Sequence, residues 1–307
     1  MSALFEIIEK IQDTEAALAM AERAVARSPH SETLAITVKS IQKRRANLES
    51  QFSEIAKQQI LDVCSYRIFS ETQDNIKISS LANALHDFQS LFTTVFDALK
   101  NGPKERARVD AATVANSAFD FGYCFSGSAG IVMTMPAEIV LFGDSDLDRT
   151  ITEIFEMANT TTPDQLKLHA KRLGLASVRK IYQWVTDHLQ AGAGADIQWK
   201  KNNEIKQKLF IQVPQLEALQ KAISETSEEV EEIVELNGML VGLDVATKKF
   251  HMEFPDAEDM KGDISPAIGT RQTLELPKQY AVEILKKTKI KFSTETEEIS
   301  YFLLKIK

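Results

Sequence analysis

The chain opens with helical periodicity. Leu4, Ile8, Ile11 and Leu18 recur at helical spacing, and the stretch from Ala16 to Ala26 is rich in alanine, the strongest helix former. Pro29 interrupts it. A second stripe follows in steps of three and four at Leu34, Val38, Ile41, Leu48, Phe52 and Ile55, with Arg45 at the one polar position of the seam. Two helices joined across Ser28 to Ser31 predict an antiparallel hairpin with a coiled-coil-like seam over residues 1–58.

Residues 59–226 alternate between strand and helix patterns. Leu61 to Phe69 reads as a strand, and Asp74-Asn75 as a turn. Leu81, Leu85, Phe88, Phe92, Val95 and Leu99 form one helical stripe, which Asn101-Gly102-Pro103 stops. Phe119, Phe121, Tyr123 and Phe125 alternate with polar or small residues and predict a strand with one aromatic face. Ser126-Gly127-Ser128-Ala129-Gly130 then turns the chain into a returning strand, Ile131 to Met135. Ser145, with Asp148 three residues on, has capping-box spacing. Helices are expected near Pro163 to Leu173, Ala176 to Leu189 and Gln215 to Glu225, and short strands at Ile197 to Trp199 and Leu209 to Ile211.

The acidic run from Ser227 to Glu235 reads as a junction to a third module, residues 227–307. Beyond it, Met239 to Leu243, Phe250 to Phe254, Met260 to Ile264, Ala281 to Phe292 and Ile299 to Ile306 predict five short strands. Glycines inside these patterns, at 238, 242 and 262, mark sharp bends. The expected fold class is α+β: a helical hairpin, a mixed α/β middle domain and a small SH3/OB-like barrel.

Composition narrows the function classes. A 44% hydrophobic content is enough for a globular core. The net charge of -8 weighs against a surface that coats nucleic acid or anionic membrane throughout. Glu6 and Glu9 in the first turns argue against a signal peptide. No apolar run approaches the roughly 20 residues of a membrane span. Cys64 and Cys124 both lie in apolar, strand-like runs and read as buried hydrophobes, and so few cysteines fit a reducing compartment.

Catalytic and metal motifs fall short. The 126–130 segment has Ser126 where a nucleophile elbow needs glycine, and a strand follows where a helix belongs. Asp144, Asp146 and Asp148 begin like a calcium loop, but Arg149 and Phe155 occupy its glycine and glutamate positions. None of His30, His86, His169, His188 and His251 stands at metal spacing from another His or Cys. The candidate binding residues are therefore basic: Lys100, Lys104, Arg106 and Arg108 around the helix stop, and Lys287, Lys289 and Lys291 on one face of a barrel strand. Edge protection is the competing explanation for the barrel lysines.

The run from Phe88 to Lys104, with Phe121 to Ser128 after it and Leu240-Val241-Gly242-Leu243-Asp244 opening the barrel, resembles a group of uncharacterised bacterial proteins over roughly residues 61–307. The resemblance implies a bacterial cytoplasmic setting and the same domain division, and brings no activity with it. The expected role is a non-enzymatic binding or regulatory protein with a protein partner and no cofactor, self-associating through residues 1–58. Nucleic-acid or nucleotide binding through the barrel and basic clusters is the first alternative. An enzyme with a polar pocket near Asp120, Tyr123 or Asp144 is the second.

Overall fold

The computed structural model describes residues 3–70, 76–125, 129–138, 140, 143–202, 204–254, 257–265, 268, 274–294 and 296–307. They fall into two units, residues 1–223 and 224–307. The turn expected at Asp74-Asn75, and residues 126–128 of the glycine-rich turn, lie outside the described set.

In the first unit, α1 (Ala3–Arg27) and α2 (Glu32–Gln58) form the expected hairpin. Ser31 caps α2 by accepting a hydrogen bond from the Leu34 amide. Arg45 spans the seam, its Nε 2.7 Å from Glu15 and 3.0 Å from Glu49. The seam does not serve the hairpin alone. Ile7, Ile11, Leu48, Phe52 and Ala56 share one core with Tyr123 and Val132 of the neighbouring sheet, so the hairpin is part of the same unit as the sheet.

That sheet is antiparallel, in the order β2-β3-β1-β4-β5, from β1 (Leu61–Phe69), β2 (Asp120–Phe125), β3 (Ala129–Pro136), β4 (Gly194–Lys201) and β5 (Glu204–Ile211). Alternation along β1 decides what lies where. Cys64, Tyr66 and Ile68 are fully buried on one face. Leu61 and Val63 point to the other and pack on the hairpin. The first face is covered by helices α3 (Ile78–Asn101), α5 (Asp146–Ala158) and α7 (Leu175–Gln190), with the short α4 (Ala111–Ser117), α6 (Pro163–Leu173) and α8 (Val213–Glu225) completing the unit. Phe88, Phe92, Phe96, Trp184 and Trp199 fill that layer with almost no exposure.

One polar chain threads this core. Trp184 Nε1 donates to the Tyr66 hydroxyl at 2.7 Å, and that hydroxyl lies 2.6 Å from His188 Nε2. His188 Nδ1 lies 3.0 Å from the Ala193 carbonyl. Only a donor suits that carbonyl, so Nδ1 carries the proton and Nε2 accepts from Tyr66. Burial pushes His188 down to about 4, which keeps it neutral and satisfied.

The aromatic face of β2 is split by a bulge. Phe121 pairs with Met133 and Tyr123 with Val132, leaving Gly122 as the extra residue. Tyr123 therefore turns to the hairpin, meeting Phe52 edge-on at 5.0 Å, while Phe119 packs among Phe88, Phe92 and Trp199 on the opposite face. Cys64 is buried as expected, but Cys124 is exposed because β2 is an edge strand.

The second unit is a closed barrel, ordered β10-β8-β7-β6-β9, of β6 (Ser227–Asp244), β7 (Lys249–Phe254), β8 (Ala257–Ile264), β9 (Lys278–Lys291) and β10 (Glu297–Ile306). Leu240, Phe250, Met252, Val282, Ile284 and Leu303 fill it. A short parallel pairing of β8 with β10 closes the ring, and Gly262 makes this possible: a Cβ there would run into the Tyr301 carbonyl. The acidic run from Ser227 to Glu235 stands at the start of the second unit and is itself structured. It is the first half of β6, paired residue by residue with β9. No helix among the described residues is long and apolar enough to cross a membrane.

Candidate functional site

The basic residues singled out above fall in both units and are largely engaged in local contacts. Lys100 lies over the Phe96 ring, 5.4 Å from its centroid. Lys104 forms an ion pair with the buried Asp97 and donates to the Arg108 carbonyl at 3.2 Å. Arg106 and Arg108 are exposed. On the barrel, Lys287 reaches Glu231 and Lys291 reaches Glu298, each at 2.5 Å. Lys289 stands opposite Glu229 of β6 and Glu298 of β10 in register. Hydrogen bonding to Glu231 raises Lys287 above its ordinary pKa. The lysine row and the glutamate row are cross-strand partners, so the barrel presents a zipped ladder rather than an open basic patch.

The hairpin covers only part of the five-stranded sheet. The α1–α2 pair sits over β2, β3 and β1. The same face continues over β4 and β5. Lys200 pairs with Val63, a hairpin-facing residue, so Asp196, Gln198 and Lys200 share that side of β4. Their partners on β5 are Phe210, Lys208 and Ile205, and Arg67 and Phe69 extend the face along β1. Phe210 is 50% exposed and Ile205 56%.

Phe69 and Phe210 stack face to face, 4.9 Å between centroids and 3° from parallel. Gly194, opposite Phe69 in register, makes room for them. A Cβ at Gly194 would lie 2.8 Å from Phe69 Cζ and would also strike the Ile211 carbonyl. Around this aromatic pair stand Lys200, Lys208 and Arg67 and, among the described residues, the carboxylate of Asp196, 3.9 Å from Lys208. Among the described residues the face thus combines aromatic and aliphatic side chains with three cations and one carboxylate. β5 is also the terminal strand of the sheet, with β4 its one partner among the described residues.

Behind this face, on the helical side, a charged cluster ties α5 to the sheet. Ser145 and Asp148 form the expected capping box at the α5 N-terminus. Asp148 also accepts from Lys201 Nζ at 2.6 Å and from Trp199 Nε1 at 3.0 Å. Burial alone would raise Asp148, but hydrogen bonds from Lys201, Ser145 and Trp199 hold it below the usual carboxylate range. Asp62 of β1 is fully buried nearby, and neither of its carboxylate oxygens has a hydrogen-bond partner among the described residues. Burial pushes it up to about 6 against the attraction of Lys201, and the Asp148 and Glu138 carboxylates add to the rise.

Chemically, this cluster is a buried anchor, with Asp62 able to take up a proton near neutrality. A cavity of about 20 Å³ lined by Phe52, Val63, Tyr123 and Val132 has room for about one water. The open face was not recognised from sequence. Its signals were the lysines at 200, 201, 206 and 208, which flank the strand pair near Trp199, and the positions of Phe69 and Phe210 near the ends of strand patterns; which helices cover a sheet is a tertiary fact.

No family model matches this chain, and no match was found among curated proteins or solved structures.

Proposed function

We propose that this is a non-enzymatic binding protein of the bacterial cytoplasm, and that it captures an acidic, extended polypeptide segment along β5. The observation that carries this reading is the stacked Phe69–Phe210 pair, flanked by Lys200, Lys208 and Arg67, on a sheet face that the hairpin does not cover, beside an edge strand. An incoming strand would hydrogen-bond to β5, and its alternate side chains would continue the face beside Ile205, Lys208 and Phe210. Lys206 and Lys208 on β5 repel a second copy of the same edge and favour carboxylates. Self-association through residues 1–58 has less support. Most of the hairpin's apolar stripe is used in its own seam and against the sheet, leaving Met20 and Ile36 as its most exposed apolar side chains.

The test is selection from a displayed library of random peptides against the wild-type protein, Phe210→Ser and Lys208→Glu. Wild type should enrich peptides that alternate acidic with aromatic or aliphatic residues, and both variants should lose them. Equal recovery on all three proteins would defeat the reading. Single-stranded oligonucleotide that binds with steep salt dependence, and is released by Phe210→Ser, would replace the peptide with nucleic acid.

A further inference from the structure

The barrel carries a second, independent feature. His251 and Glu253 are alternate residues of β7 and so share one face. A register shift between Met252 and Phe254 brings Asp259 of β8 beside them. One ligand atom from each of the three lies within 4.8 Å of the others. His251 Nε2 and Asp259 Oδ2 are 3.2 Å apart. Two ligands bound at about 2.05 Å to a tetrahedral ion are separated by about 3.3 Å, so this pair already has the spacing of one tetrahedral edge. Small rotations of Glu253, whose side chain is half-buried, would bring in the third ligand.

The surroundings leave space on the metal's open side. Gly242 of β6 stands directly across from His251 and contributes no side chain. The imidazole borders a surface depression of about 560 Å³ that Gly242, Asp244, Lys249, Lys261 and Gly262 also line. Lys261, opposite His251 on β8, and Lys249, which is paired with Asp263, are nearby cations that oppose binding. One imidazole nitrogen with two carboxylates is a borderline donor set. It favours zinc-like divalent cations over calcium or magnesium, which prefer all-oxygen shells.

We propose that His251, Glu253 and Asp259 form a three-ligand site for a divalent transition-metal cation of the zinc class, with solvent completing the shell. The ion would bridge β7 to β8 and tighten that hairpin of the barrel.

Calorimetric titration of the full chain with Zn²⁺ tests this. One equivalent should bind in the micromolar range. His251→Ala and Asp259→Asn should each weaken binding by at least about 100-fold, while His86→Ala, a change at an exposed position of α3, should leave it intact. Circular dichroism of the metal-free variants should match wild type. Co²⁺ in place of Zn²⁺ should give the visible absorption of a low-coordinate site, lost in His251→Ala. Three results would each overturn the proposal: no saturable Zn²⁺ binding below millimolar concentration, unchanged binding in His251→Ala, or tighter binding of Ca²⁺ than of Zn²⁺.

Discussion

Phe69 of β1 and Phe210 of β5 stack in parallel diagonally across β4, Phe69 standing opposite Gly194 and Phe210 opposite Asp196. The two phenylalanines and Gly194 form one device, because the glycine supplies the floor on which the two rings meet. A side chain at 194 would collide with the Ile211 carbonyl as well as with Phe69, and the carbonyl belongs to the ladder and cannot yield cheaply. Gly194→Val should therefore destabilise the protein by about 2–4 kcal/mol, read as a lower urea midpoint at unchanged slope. Phe210→Ser should cost only about 1 kcal/mol, because the ring is half exposed.

Asp62 gives a pH prediction with a definite sign. Its folded pKa of about 6 lies above the 3.8 of the unfolded chain, so the native state binds the proton more tightly. The stabilising contribution is complete below pH 3.8 and is lost as pH rises through about 6. Asp87 of α3 acts in the same direction. It is 2% exposed, and burial first and its hydrogen-bonded neighbour Asp187 of α7 second push it up to about 6. Asp62→Asn should raise stability at pH 7.5 by roughly 1–3 kcal/mol, an advantage that fades between pH 6 and 4. Urea titrations of wild type and variant at several pH values measure it.

The Tyr66 hydroxyl satisfies two buried groups at once, accepting from Trp184 and donating to His188. Tyr66→Phe keeps the ring and strips both partners. Leaving a buried indole N–H and an imidazole nitrogen unpaired should cost about 2–4 kcal/mol. His188→Ala in the same background should cost less than it does in wild type, a non-additivity that a double-mutant cycle detects.

The ladder between β6 and β9 tests the nucleic-acid alternative. Lys287 and Lys291 are held by Glu231 and Glu298, so wild type should bind single-stranded DNA weakly at physiological salt. Glu231→Lys with Glu229→Lys should create a true basic face and a binding constant that falls steeply with added salt. Tight, salt-sensitive binding by the wild-type chain would show that the glutamates do not neutralise this strand.

Much of the architecture is legible along the chain because it rests on local pattern. The helix stop at Gly102, the capping box at Ser145 and the five barrel strands follow from spacing and from turn residues. What is not legible depends on register or on cover. Gly122 gives no sign in sequence that it is a bulge, yet it sends Tyr123 to one face of the sheet and Phe119 to the other. The acidic stretch from Glu228 to Glu235 resembles a linker until its partners, some fifty residues away on β9, are placed opposite it. Asp62 stands in an apolar run, and its burial arises only when α5 closes over the end of the sheet. The face around Phe210 is hidden for the same reason: Leu209 to Ile211 reads only as a short strand until the hairpin is seen over β1 to β3.

The central claim is most directly tested by amide hydrogen exchange of the full chain, with and without a library-selected acidic peptide. The claim predicts slowed exchange over residues 204–211, where an added strand would pair, and no slowing when the protein carries Lys208→Glu. Protection confined to the barrel, residues 227–307, with β5 exchanging as before, would contradict it.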